Sequence, residues 1–314
     1  MTGQAPEKVG ASSTSDVARE RMLRLGQETL VSAGPTKGFL RGTWQSIRDL
    51  GEYRELLGLL VRRELKARYK DSALGFLWSL LRPIAILLVY YIAIGKFLGA
   101  ERNIPSFAIY IFAGLTAWQL FTDVVAGGTG SIIGNAGLIK KVYLPREVFP
   151  LSVVGSALFT FSTQFAILVL GVVVASEIPT GSRLLFVPLS LLVIVTYATA
   201  FALVLSAVNV YLRDVQYLVE IGLTVLFWST PVVYSWELVQ NTVSGGWLQQ
   251  LYLANPMAVA IMGMQRGMWV AGTDKPFPDG LGTRLLIMLG IGLVLVWLAQ
   301  RLFARLEANF AQEL

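Results

Sequence analysis

Of the chain's 314 residues, 54% are hydrophobic and only 15% are charged, where a soluble domain carries about 25%; most of the chain is built for lipid rather than water. The balance of 26 Lys and Arg against 20 Asp and Glu, net +6, can orient a chain in a bilayer but is too mild and dispersed for nucleic-acid binding. With Cys and His both at zero, disulfides, thiolate nucleophiles and the commonest general base and metal ligand are excluded, and most hydrolase and metalloenzyme chemistry with them.

Residues 1–45 are polar and mixed in charge. They read as a cytoplasmic tail, expected to be disordered, without the apolar core and cleavage site of a signal peptide. The first hydrophobic segment is therefore expected to direct insertion. Over 46–72, Tyr53, Leu56, Leu57, Leu60 and Val61 follow the spacing that gathers apolar side chains on one helix face. Arg62, Arg63, Lys66, Arg68 and Lys70 come at once after them. An amphipathic interfacial helix on the anionic inner leaflet satisfies both features; a basic flank that only enforces topology is the plainer alternative.

Residues 73–300 form the predicted membrane domain. A crossing helix needs about 20 mostly apolar residues, and six segments qualify, at about 80–98, 104–123, 148–176, 184–212, 217–236 and 284–300. The first is interrupted near its start by Arg82 and Pro83, and Lys96 lies at its far end; both cations can snorkel to the interface. Asn255 and Pro256 read as a capped helix start, but Arg266 follows too soon for a crossing. Residues 255–271 are expected to form a re-entrant helix in the last external loop. Six crossings put 20 Lys and Arg on one side and 6 on the other, so both termini, including the 301–314 tail, are expected to be cytoplasmic. The predicted fold is an all-α integral membrane protein.

The loop from Gly134 to Glu147 places Leu138, Ile139, Val142, Tyr143 and Leu144 among Lys140, Lys141 and Arg146. Apolar knobs with flanking cations suit docking of a short helix to a cytoplasmic partner; an interfacial loop on lipid headgroups is the alternative. Arg213 and Asp214 are either an ion pair to another subunit or an interfacial stop. Tyr90, Tyr91, Trp118, Phe121, Trp228 and Tyr234 belong to ordinary interfacial belts or offer flat faces on which sugar C–H groups stack. No Gly-x-x-x-x-Gly-Lys-Ser/Thr phosphate loop occurs, so any ATP is handled by another chain.

Taken in order, Arg63-Glu-Leu-Lys-Ala-Arg-Tyr-Lys70, Ser72 to Gly75, Trp78 and Pro83 resemble the entry signature of polysaccharide-export ABC permeases. The resemblance continues through Phe112 to Gly114, Trp118, Phe121, Leu138 to Pro150, Arg213-Asp214, Pro231 to Tyr234 and Asn255-Pro256, covering roughly 50–300. It implies the membrane subunit of an exporter of a polyprenyl-diphosphate-linked glycan such as O-antigen or teichoic acid, in the bacterial cytoplasmic membrane. Two copies would form the channel above two nucleotide-binding ATPase subunits, which hold the ATP and Mg; this chain would bind no cofactor. Leu138 to Glu147, Pro145 included, would be the coupling helix, with Arg213 and Asp214 beside it. Arg62, Arg63, Lys66, Arg68 and Lys70 would sit on a gate helix near the lipid diphosphate. The six aromatic residues above would line the passage.

Three other functions remain open on the sequence alone. A drug or lipid permease of the same superfamily shares the general pattern. A membrane-embedded glycosyltransferase would need catalytic carboxylates, for which Asp123, Glu147, Asp214 and Glu220 are the candidates. A proton-coupled flippase would need an intramembrane acid, best represented by Glu220.

Overall fold

The computed structural model describes residue 48 and residues 51–69, 77–141, 144–243 and 246–314. Among them the regular structure is helical throughout. Helix α1 (Arg54–Tyr69) carries the expected apolar stripe, and that stripe lies along α5 (below) rather than standing free. Leu60 is buried, and Tyr53, Leu56 and Leu57 pack around the same cluster. Arg62, Arg63 and Lys66 are exposed on the other side. The expected 1–45 tail, Lys70 and the side chain of Arg68 lie outside the described residues.

Helix α2 (Leu77–Tyr90) holds Pro83 in its interior and runs on as a π-helical segment, Tyr91–Phe97. There Leu98 N reaches back to Ala93 O at 3.2 Å. Helix α3 (Phe107–Gly134) is followed by the single turn α4 (Ala136–Ile139) and by α5 (Val148–Val174). A short 3-10 turn leads into α6 (Phe186–Tyr211), after which come α7 (Val215–Trp228), α8 (Trp236–Thr242) and α9 (Trp247–Leu253). Helix α10 (Pro256–Met268), α11 (Leu281–Leu306) and the terminal turn α12 (Phe310–Glu313) complete the chain. Five helical segments are long and apolar enough to cross a membrane: Leu77–Phe97, Phe107–Gly134, Val148–Val174, Gly181–Tyr211 and Leu281–Asn309.

Two boundaries differ from the sequence expectation for physical reasons. Helix α3 continues through Asp123 to Gly134, because Gln119 one turn earlier donates to the Asp123 carboxylate at 2.8 Å and so satisfies the charge without ending the helix. Helix α7 stops at Trp228 rather than near residue 236. Its 14 residues span only about 21 Å at 1.5 Å per residue. Pro231 has no N–H to give and crowds the residue before it, so the chain leaves the helix and Thr230–Val233 are buried as irregular backbone. Helix α10 begins as expected, with the Asn255 side chain accepting from Met257 N at 3.0 Å and Pro256 in the first turn.

Helix α3 is the hub. It packs against α2, α5, α6, α7 and α10, and most of its side chains are buried. Two of the hub's buried hydroxyls bond back to their own helix: Thr129 to Val125 O at 2.7 Å and Ser131 to Gly128 O at 2.6 Å. Asn209 of α6 adds a buried cross-helix bond to Thr129 O at 3.0 Å. Close approach of α3 and α6 requires a glycine: a Cβ at Gly128 would lie 2.5 Å from the Ala202 Cβ. Gly128→Val is expected to force the two helices apart at a cost of about 1–3 kcal/mol. Size-exclusion and thermal-aggregation profiles in detergent will read this as loss of the monodisperse folded species, with an unchanged profile contradicting the packing.

Candidate transport site

The helices arrange three candidate regions along α3. The first lies at its Gly134 end. Of the expected docking residues, Lys140 and Lys141 are exposed, Leu138 is half-buried, and Val142 and Tyr143 lie outside the described residues. Ile139 and Glu147 point the other way. Ile139 is only 8% exposed and belongs to the buried cluster that contains Leu60, Phe149 and Phe303, so it anchors the segment instead of offering a knob to a partner. Glu147 is 6% exposed and accepts from Gln300 Nε2 at 2.8 Å. Arg213 and Asp214 are both exposed at the start of α7.

The chain's C-terminus completes this region. Arg146 donates to the Glu307 backbone carbonyl, and its guanidinium carbon stands 5.7 Å from the centre of the Phe310 ring. Phe310 is fully buried, edge-on to Phe303 at 5.6 Å and to Tyr211 at 6.1 Å, and the Tyr211 hydroxyl donates to Leu306 O at 2.7 Å. Residues 303–310 thus clamp Arg146 against the end of α6. On α1, Arg63 donates to Asn135 Oδ1 at 2.5 Å, which ties the basic helix to the turn between α3 and α4.

The second region is a seam of aromatic rings where α2, α3 and α7 meet. Phe227, not singled out in the sequence, is its centre: Tyr90 lies 6.2 Å away, Trp118 5.5 Å and Trp228 5.5 Å, ring centre to ring centre. Trp228 is 58% exposed, whereas Phe121 is 2% exposed and sealed in the core. Phe121 therefore supports the wall rather than lining a passage in this conformation. Tyr91 packs on Phe107 with Lys96 over its face at 5.4 Å. Tyr234 donates to Trp228 O at 2.9 Å and meets the Tyr252 hydroxyl at 3.3 Å. Burial raises the Tyr252 phenol above the ordinary tyrosine range.

Beside the seam a cavity of about 400 Å3 opens between α2, α3 and α5, and Arg82, Trp78, Thr116, Gln119, Asp123 and Gln164 are among its walls. The third region caps the Phe107 end. Tyr110 donates to Tyr234 O at 2.7 Å, Gln265 of α10 donates to Pro231 O at 2.9 Å, and Trp269 donates to Pro105 O at 2.6 Å. Glu177, between α5 and α6, accepts from the Ser106 hydroxyl and, at 3.3 Å, from Ala271 N.

Fold and site together define a multi-pass helical membrane protein built around a buried hub with an internal polar chamber. Residues 55–269 match the family model described as ABC-2 type transporter, and the chain belongs to that family. It is 34% identical over 269 residues to the O-antigen export system permease protein RfbA of Myxococcus xanthus, covering 85% of this chain and 98% of that one. A permease of the same name from Klebsiella pneumoniae is 28% identical over 84% of this chain and 96% of its own. The polysialic acid transport protein KpsM of Escherichia coli is 24% identical over 64% and 85% respectively.

Sequence reasoning missed Gln300, Tyr211, Phe303 and Phe310, because nothing in residue order shows that the end of one predicted crossing packs on the 301–314 tail. Phe310→Ala empties a site closed by two rings and a guanidinium and is expected to cost about 3–5 kcal/mol locally. Hydrogen exchange will show it as faster exchange in both 303–314 and 144–149; acceleration confined to 303–314 would contradict the clamp.

Proposed function

We propose that the chain is the channel-forming subunit of an ATP-driven exporter that moves a lipid-linked polysaccharide outward across the bacterial cytoplasmic membrane. The observation that carries this reading is the end-to-end similarity to O-antigen export permeases, which extends over 98% of the Myxococcus xanthus protein. The residues agree with it. The aromatic seam offers Trp228 and the half-buried Tyr90, Tyr91 and Tyr234 as stacking faces, while the exposed apolar faces of α2 and α7, with Leu88, Val89, Ile221 and Val225, suit a second copy across the passage. A homodimer would place those faces toward one another.

The chain has no phosphate loop, so two separate ABC ATPase subunits would bind ATP and Mg. They would dock on the exposed Lys140, Lys141, Arg213 and Asp214, on the side that the charge asymmetry assigns to the cytoplasm together with both termini. Closure of the ATPase pair would push on the 136–147 segment. Arg146 and Glu147 would pass the displacement to α11 through the Glu307 carbonyl and Gln300. The exposed cations Arg62 and Lys66 on α1 would attract the lipid diphosphate; Arg63, already bonded to Asn135, would chiefly hold the helix in place.

Depletion of the chain is expected to leave lipid-linked glycan on the inner face of the membrane, read by its protection from surface probes in intact cells; unchanged surface glycan contradicts the reading. Affinity purification of the intact complex should recover a Walker-type ATPase in comparable amount. The double substitution Lys140→Glu and Lys141→Glu reverses the charge of the exposed turn and should reduce that recovery roughly tenfold, as expected for opposed charges across a rim. Recovery equal to wild type would refute the docking surface.

A further inference from the structure

The chamber between α2, α3 and α5 lies apart from the docking face and the cap and shares Trp118 with the aromatic seam, yet its chemistry is selective. One wall presents Gln119 and Asp123, joined at 2.8 Å. Another presents Gln164, which is almost wholly buried, and Thr160, whose hydroxyl turns back to Ser156 O at 3.1 Å. Trp78 and Arg82 stand at the α2 side, both exposed.

Thr116 is the telling residue. It is 1% exposed and lines the chamber, and its hydroxyl has no hydrogen-bond partner. Two other buried hydroxyls of α3, those of Thr129 and Ser131, bond to their own helix; that of Thr122 also lacks a partner but is not among the chamber's described lining residues. A buried hydroxyl left without a partner costs about 1–3 kcal/mol, and a site that leaves one facing a cavity is complementary to something that supplies the bond.

The charge pattern selects the class of ligand. Among the described lining residues there is one guanidinium, Arg82, and one carboxylate, Asp123, so these two leave no net positive charge with which to hold a phosphate. Amides, a hydroxyl and a carboxylate beside an indole face are instead the groups that hold a neutral ring with many hydroxyls: donors and acceptors in its plane, an aromatic surface against its C–H face. The volume, about 400 Å3, is within the range of about 300–1,000 Å3 typical of small-ligand sites. Beyond Phe112, which borders both spaces, the cleft continues as an apolar groove past Leu87, Ile109, Leu168 and Val174, so the hydrogen-bonding part of a ligand is confined to the chamber.

We propose that this chamber is a sugar-binding station, taking one or two neutral pyranose units through Thr116, Gln119, Asp123 and Gln164 with Trp78 stacked on the ring. The proposal rests on the glycan-export reading and adds a defined stop to it.

The test is photocrosslinking in cells carrying the complete transporter, with a benzophenone amino acid at Trp78, at Trp228, or at Leu293 on the exposed face of α11. Adducts are probed for carbohydrate by periodate and hydrazide labelling and for phospholipid by mass spectrometry. Carbohydrate on the Trp78 probe, none on the Leu293 probe, is the expected result. Thr116→Val should lower that adduct about tenfold, the equivalent of one lost hydrogen bond. It should leave thermal stability unchanged or higher, because it deletes a group with no partner in the empty protein. Phospholipid alone on the Trp78 probe, or carbohydrate undiminished by Thr116→Val, overturns the station. Carbohydrate at Trp228 but not at Trp78 overturns the station while leaving export intact. Absence of carbohydrate from every position, with surface glycan unaffected by depletion, removes the export reading and the station with it.

Discussion

Hydrocarbon offers no water to a free amide or carbonyl, and the short irregular stretch after α7 is where that constraint weighs most on this fold. Pro231 ends the helix within an otherwise apolar run, and the carbonyls it releases must be satisfied by protein. Gln265 meets the Pro231 carbonyl and Tyr110 meets that of Tyr234. Both donors are buried: Tyr110 stands on α3 itself, and Gln265 arrives because α10 packs against α3 and Gly114 leaves room, since a Cβ there would stand 3.2 Å from Val232 O and 3.1 Å from the Gln265 amide. Those two hydrogen bonds tie the stretch after α7 to α3 and α10.

From this follows a division of labour among the helices. The hub α3 is packed against five helices and mostly buried. Helices α2, α7 and α11 keep broad apolar faces outward, with Leu88, Trp228 and Leu293 among them, and are the elements available to lipid or to a second copy. Motion imposed at the Gly134 end would meet a stiff connection, since Glu147 is bonded to Gln300 and Arg146 to the Glu307 carbonyl.

Much of this was legible from residue order. Long uncharged runs became the long helices, the stripe from Tyr53 to Val61 became the packed face of α1, and Asn255-Pro256 became a capped helix start. What escaped had a common physical cause: hydropathy reports burial but not which protein group satisfies a polar atom. It could not show that Gln119 lets α3 run past Asp123, nor that Pro231 halts α7 while its neighbours stay apolar. Nor could it separate knobs from anchors in the 138–147 segment, where Ile139 and Glu147 face inward and the lysines outward. The chamber lay across three helices, and its residues became neighbours only once those helices were packed.

In the proposed function this chain is a conduit that holds and passes a glycan while another protein supplies the energy. Proteoliposomes containing the purified permease, with and without its ATPase partner and loaded with lipid-linked glycan, test that claim most directly. Translocation should require both proteins and ATP, and should vanish when the partner is omitted. Translocation at the full rate by this chain alone would contradict it.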